Sequence, residues 1–138
     1  MTYAKVHNAI RKKFADFVAA QGSPPSVEYD NAKVTPPTAG LDYWVRFQIL
    51  PAGSEVWETG VTTARTTGFV LLSIFVVAEK GDKVGLDFAD LFVAEFKQSD
   101  ITLSGARVDF RTPTVTPVGR SGAFWQINVR TPFWTNDA

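Results

Sequence analysis

The chain has 138 residues, of which 45% are hydrophobic and 20% charged, a composition that indicates one globular domain with a buried core. Its 14 basic and 14 acidic residues give a net charge of zero, which excludes a strong overall attraction to nucleic acid or to an anionic membrane. Because the chain has no cysteine, a disulfide scaffold and thiolate chemistry are excluded as well.

Apolar residues at helical spacing predict the first element, a helix from about Tyr3 to Ala20. Gly22, which is followed by two prolines, marks its end. The apolar positions are Val6, Ile10, Phe14, Phe17 and Val18. Three consecutive cations lie toward the polar side, where they form either a solvated face or a phosphate-contacting patch: Arg11, Lys12 and Lys13.

The next segments predict two strands and two loops. Ser26–Asp30 is a short strand candidate, and Tyr43–Leu50 alternates apolar and polar residues as a half-buried strand does. A proline-containing loop lies between them. The stretch 51–67 is rich in glycine and threonine and predicts a long loop, which is often functional in a compact domain. Trp57 in its middle either folds back on its own core or contacts another subunit.

The most apolar stretch is Phe69–Ala78, in which Ser73 is the single polar residue. Its β-branched residues favour a strand over a helix. It is too short for a membrane helix, which needs about 20 apolar residues, and we expect no membrane association. Both faces of this strand are apolar, so each must be covered. One face carries Phe69, Leu71, Phe75 and Val77, and the other carries Val70, Leu72, Ile74 and Val76.

A second amphipathic helix and several short strands complete the pattern. Val84, Phe88, Leu91, Phe92 and Phe96 recur at helical spacing. The strand candidates that follow are Ile101–Leu103, Arg107–Arg111, the proline-broken edge strand Thr114–Val118, and Phe124–Thr131. This order predicts an α+β fold, a mainly antiparallel β-sheet with two α-helices packed on one face.

Residues that could carry chemistry do not form a known constellation. His7 is the only histidine, and without cysteine it cannot build a common zinc site. Asp87 and Asp90 could share one helix face, but nothing else in the pattern converges on them. The loop 81–85 lacks the Gly-Lys-Ser/Thr ending of a phosphate-binding loop. We therefore predict no enzyme activity, no catalytic or metal site and no cofactor.

Taken together, the chain resembles the tail-terminator proteins of long-tailed, siphophage-type bacteriophages. The resemblance includes the N-terminal helix, the proline-rich loop after a short strand and a last strand that contains tryptophan. Its individual positions are Gly60, Arg65 and Gly68 before the apolar strand, then Glu79-Lys80-Gly81, Gly85, Ala89-Asp90, Phe96 and Thr131-Pro132-Phe133. It extends over nearly the whole chain, which we treat as a single domain, 1–138, with a long 51–67 loop.

The resemblance implies a structural virion protein. By this resemblance it would form a ring with itself, usually of six subunits, which would cap the tail-tube protein, end its polymerisation and present a joining surface to a head-completion or connector protein. Genomic DNA would pass through the lumen without specific binding. The protein would be assembled in the host cytoplasm and located in the virion, at the head-proximal end of the tail. We expect a subunit or tube interface at Trp57, Arg65, Val70, Leu72, Ile74 and Val76.

Two kinds of alternative remain open at this point. Another head–tail connector or a tail-tube component of similar fold would share the same pattern. A small-molecule-binding α+β domain would instead have an apolar cavity between the helices and the sheet. The many aromatic residues, 11 Phe, 4 Trp and 3 Tyr, favour an assembly protein because interfaces concentrate such side chains.

Overall fold

The computed structural model describes residues 3–22, 25–29, 43–56, 64–77, 83–103 and 105–137, which form two helices and seven strands. The helices are α1 (Tyr3–Ala19) and α2 (Lys83–Phe96). The strands are β1 (Ser26–Tyr29), β2 (Tyr43–Val56), β3 (Ala64–Val77), β4 (Asp100–Leu103), β5 (Ala106–Phe110), β6 (Thr114–Ser121) and β7 (Phe124–Asp137).

All seven strands belong to one sheet with β3 near its centre. The strand order is β1-β2-β3-β7-β5-β4, and β6 pairs with β7 beside this path. Every pairing is antiparallel except that of β1 with β2. Both helices pack on one side of the sheet. The predicted α+β fold, with a mainly antiparallel sheet and two helices on one face, is confirmed.

The hairpin formed by β2 and β3 is longer than the sequence predicts. Residues 51–67 do not form one long loop, because β2 continues to Val56 and β3 begins at Ala64. The pairing shifts register between Pro51 and Gly53, and a bulge is a position at which strands accept proline. β7 likewise continues past the predicted end at Thr131, since the longer β3 gives it a partner as far as Asp137.

The helix side of β3 is the centre of the core. Val70, Leu72, Ile74 and Val76 are at most 2% exposed, and both helices cover this side of the sheet. The prediction that these four residues form a subunit or tube interface is therefore wrong for this fold. Two amphipathic helices supply enough apolar surface to bury that row completely within one chain. The other face of β3 is the one that the helices leave uncovered.

Most of the phenylalanines lie in this core and not on an interface. Nine of the 11 are buried, and eight of these belong to the core, where their rings form a continuous layer between helices and sheet. The ninth, Phe75, lies on the opposite face of β3. Phe14 of α1 stacks on Phe47 of β2 with 4.1 Å between ring centroids. Phe92 and Phe96 of α2 stack at 4.3 Å, and Phe17 of α1 contacts both edge-on. Such pairs add about 0.5–1.5 kcal/mol each to the free energy gained by burial.

The three consecutive cations of α1 all have partners. The Arg11 guanidinium lies 5.6 Å from the ring centroid of Tyr29, and Lys12 pairs with Asp16 at 2.7 Å. The Lys13 side chain is only 11% exposed; its ammonium lies 3.8 Å from Glu95 and 5.1 Å from the ring centroid of Phe96. These contacts disfavour a phosphate-binding patch on α1.

Gly85 sets how closely α2 approaches the sheet. A Cβ atom at this position would lie 2.5 Å from a methyl carbon of Val76 and 2.9 Å from one of Ile127. Both neighbours are buried strand residues with little freedom to move. The glycine costs about 1 kcal/mol of helix propensity relative to alanine, and the close contact of α2 with β3 and β7 offsets that cost.

We expect Leu72→Ala and Leu71→Ala to lower the free energy of unfolding by different amounts, because the two side chains lie on opposite faces of β3. Leu72 is completely buried, so its truncation should lower the free energy of unfolding by about 2–5 kcal/mol. Leu71 is half-buried on the opposite face, and its truncation should cost no more than about 1 kcal/mol. Urea unfolding of the two variants measures this difference, and equal losses would contradict the assignment of faces.

We also expect Gly85→Ala to destabilise the protein even though alanine is the better helix former. Overpacking against Val76 and Ile127 costs about 1–3 kcal/mol, which exceeds or cancels the helix-propensity gain of about 1 kcal/mol. Asp90→Ala, at an exposed position of the same helix, is the matched control and should not lower the thermal midpoint. A Gly85→Ala variant clearly more stable than wild type would show that α2 does not pack as described.

Candidate assembly surfaces

The side of the sheet opposite the helices carries a mixed surface, which we call the helix-free face. Its centre is the outward row of β3, and neither described helix packs on it. The register places β2 and β7 side chains beside that row. The face consists of Trp44, Arg46, Gln48, Leu50, Phe69, Leu71, Ser73, Phe75, Val77, Phe124, Gln126, Asn128, Arg130 and Pro132.

One end of the helix-free face is covered by its own side chains. Phe75 stacks on Trp44 at 4.3 Å between centroids and meets Phe124 edge-on at 6.5 Å. The guanidinium of Arg46 lies 5.4 Å from the Phe75 centroid, and a carboxylate oxygen of Glu28 lies 3.5 Å from Arg46. Phe75 is consequently only 6% exposed. This end needs no second subunit to keep water away from the strand.

The other end of the face leaves apolar surface accessible. Leu50, Phe69, Leu71 and Pro132 are half-buried, and we call these four residues the apolar row. The guanidinium of Arg130 lies 4.3 Å from the Phe69 ring centroid. Aromatic, aliphatic and arginine side chains in one area are the composition that protein–protein contacts favour.

An unsatisfied donor lies beside the aromatic cluster of the helix-free face. The indole Nε1 of Trp44 is buried and has no hydrogen-bond acceptor among the described residues. An unmade hydrogen bond of this kind costs about 1–3 kcal/mol. Nearby polar groups bond to one another instead: the amide nitrogen of Gln126 donates to the side-chain oxygen of Asn128 at 3.0 Å.

On the helix side, a cleft of about 240 Å³ opens between the end of α1, the start of β2 and α2. Its walls include Gln21, Tyr43, Val84, Phe88 and Leu91. Burial raises the pKa of the Tyr43 hydroxyl, which stays protonated at neutral pH and can donate a hydrogen bond. Sites for small organic ligands have volumes of roughly 300–1,000 Å³, so this cleft suits one protein side chain better than a cofactor.

The titratable residues considered as chemical candidates are dispersed. Asp87 pairs with Lys83 of the same helix at 2.8 Å, and Asp90 is exposed. His7 lies half-buried on α1. Within the described parts of the chain, no three histidine, aspartate or glutamate side chains come together as metal ligands. The same parts contain no helix long and apolar enough to cross a membrane.

The other two predicted interface residues are Trp57 and Arg65. Trp57 lies outside the described residues. The backbone of Arg65 belongs to β3, paired with Glu55 and Asn136, while its side chain is outside the described part. The sequence analysis assigned no interface role to the outward residues of β2 and β7. Their strict alternation with buried neighbours is the signal that could have identified them.

Comparisons with known proteins give the family of the chain and a structure of similar fold. A sequence model of the family described as "Phage tail terminator protein" matches residues 5–133. The chain belongs to the phage tail terminator family. It is also similar to a solved structure with a TM-score of 0.80 and 19% identity, over 98% of this chain and 96% of the other. That likeness supports the fold alone. No curated protein matches the sequence.

Membership of this family gives the chain a structural role in the tail of a bacteriophage, in association with other virion proteins. Such a role depends on contacts between the terminator's surface and other proteins. Two areas stand out, the apolar row of the helix-free face and the cleft beside α2.

Proposed function

We propose that this terminator forms a ring, of six subunits in the virion, that caps the tail tube, stops its polymerisation and presents a joining surface to a head-completion protein. The observation that carries the proposal is the apolar row Leu50, Phe69, Leu71 and Pro132, which lies on the helix-free face of a chain whose core is already complete. A stable core leaves this row available for a partner.

The tail-tube protein is the partner we assign to the apolar row. A sheet face with alternating apolar and polar side chains suits a contact between proteins that fold separately before they meet. The exposed guanidinium of Arg130 lies over the Phe69 ring, and arginine and aromatic residues contribute most of the binding energy at such interfaces. We also include Trp57 and Arg65 in the proposed contact with the tube or a neighbouring subunit.

The charges of the terminator are consistent with a ring through which DNA passes without specific binding. The net charge is zero, and among the described residues five basic side chains pair with carboxylates of their own chain. Lys12 pairs with Asp16, and Arg107 bridges Asp100 and Asp109 at 3.0 and 3.2 Å. A basic lumen would hold phosphates and slow the genome. A structural role of this kind also needs no catalytic residue, and we propose that the protein is not an enzyme.

The most direct test adds purified terminator to polymerising tube protein and measures tube lengths by electron microscopy. Wild-type protein should stop elongation, and Leu71→Glu should weaken capping by about 2 kcal/mol, roughly 30-fold in the concentration required. The reason is that Leu71 lies at the edge of the apolar row, directly across from Arg130. A glutamate there would replace apolar contact area with a carboxylate and draw the guanidinium away from the Phe69 ring. Lys97→Glu, at an exposed position after α2, is the matched control.

A folded Leu71→Glu variant that caps as well as wild type would show that the apolar row does not contact the tube. If wild-type protein leaves tube length unchanged but binds the head-completion protein, the chain acts as a head–tail connector and does not cap the tube. Circular dichroism on each variant verifies that its fold is preserved.

We expect Trp57→Ala to weaken ring formation or capping with little change in the stability of the monomer. A buried tryptophan contributes about 2–3 kcal/mol, and we propose that for Trp57 this contribution comes from a neighbouring chain. The thermal unfolding free energy should stay within about 1 kcal/mol of wild type. A variant that unfolds much earlier but still forms rings would make Trp57 a core residue of its own subunit.

A further inference from the structure

Four large hydrophobic residues are strongly exposed in the described part of the chain, and they form two groups. Val84 and Leu91 on α2 are 38% and 51% exposed and line the cleft beside that helix. Val118 and Trp125 are 54% and 36% exposed and lie on the hairpin formed by β6 and β7. The first group lines a concave surface and the second lies on a hairpin at the edge of the sheet.

The β6–β7 hairpin presents residue types that bind strongly at interfaces. A tight turn at Gly122, which has a φ of +60°, joins the two strands. Arg120 pairs directly with Trp125, so the two side chains lie next to each other on the same face of the hairpin. Tryptophan and arginine are enriched among residues that dominate binding energy. Val118 lies at a register shift of β6, a short distance along the same strand.

The cleft and the hairpin lie on opposite flanks of α2. Tyr43, Val76 and Trp125 form one row across β2, β3 and β7, with neighbouring strands about 4.8 Å apart. Gly85 of α2 sits over Val76, the middle of that row. Tyr43 borders the cleft on one side of the helix, and Trp125 lies on the other side. A single chain cannot bring these two surfaces together, but two copies can.

The two surfaces also have complementary charges. Asp87 lines the cleft and Asp90 is exposed three residues further along α2, whereas Arg120 is exposed on the hairpin. Asp87 already pairs with Lys83, and Asp90 makes no ion pair with a described residue. The Nε of Arg120 donates to the Gly122 carbonyl at 3.3 Å, and no described carboxylate pairs with this guanidinium. A contact between hairpin and cleft would bring Arg120 toward Asp90.

We propose that the β6–β7 hairpin of one subunit inserts Trp125 and Arg120 at the α2 cleft of the next copy. Because the contact joins two different surfaces, it is head-to-tail, the kind of contact that generates a closed ring when the rotation between copies closes. The inference rests on the proposed ring and names the surfaces from which it is built. The cleft volume of about 240 Å³ matches a single large side chain.

A mixing experiment tests the directionality of this contact. Leu91→Glu places a charge in the cleft and leaves the hairpin unchanged. Trp125→Glu places a charge on the hairpin and leaves the cleft unchanged. Each variant alone should lose self-association by at least about tenfold, the effect of removing one important interface residue. Mixed in equal amounts, they should form a one-to-one heterodimer, since one intact contact remains and no ring can close. Sedimentation velocity measures these species, with Lys97→Glu as the control.

Cross-linking provides a second readout that does not depend on disruptive substitutions. The natural chain has no cysteine, so Arg120→Cys and Asp90→Cys introduce single reactive positions. A mixture of these two chains treated with a short bismaleimide should give a cross-linked heterodimer as the main product. Arg120→Cys mixed with Lys97→Cys, just after the end of α2, should give at least about tenfold less, because proximity controls the reaction.

The outcomes distinguish a failure of the proposed contact from a failure of the proposed ring. The proposed contact is wrong if Leu91→Glu and Trp125→Glu both form wild-type rings, or if the Arg120–Asp90 pair gives no more cross-linked product than its control. Neither result contradicts the proposed ring. If wild-type protein forms no ring either in solution or on tubes, the proposed function fails first. Should a glutamate variant fail to fold by circular dichroism, the cysteine pairs decide.

Discussion

The architecture of this terminator depends on how closely α2 packs on the middle of the sheet. Gly85 allows the helix backbone to lie directly over Val76 and Ile127, and that approach brings Phe88, Phe92 and Phe96 into contact with α1. The resulting layer of phenylalanine rings buries the whole inward row of β3. One chain therefore completes its own core, and its remaining apolar surface is available for contacts with other proteins.

This division gives the two sides of the sheet different roles. The helix side provides stability, because its side chains are buried and closely packed. The helix-free face is stabilised at one end by the cluster of Trp44, Phe75 and Phe124, and the apolar row occupies its other end. The flanks of α2 carry a second set of exposed residues. Contacts in two directions, toward a neighbouring copy and toward the tube, are what a capping ring requires.

Much of the fold could be predicted from the sequence because periodicity specifies burial directly. The apolar spacing of α1 and α2 and the alternation in β2 and β7 were sufficient for the α+β arrangement. The length of the β2–β3 hairpin could not be predicted, since glycines and threonines at 51–67 look like loop residues until β7 supplies a partner strand. The interface could not be assigned either: both rows of β3 are apolar, and only tertiary packing shows that Val70, Leu72, Ile74 and Val76 face the helices.

Electron cryo-microscopy of assembled tails, at a resolution that traces each subunit, tests the central claim that assembly uses only surfaces left over by a complete core. The account predicts a ring in which every subunit keeps both helices on its own β3. The helix-free face should meet the tube, and each β6–β7 hairpin should meet the next copy's α2. A ring in which the helices leave β3, so that its inward row packs against another subunit, would contradict it.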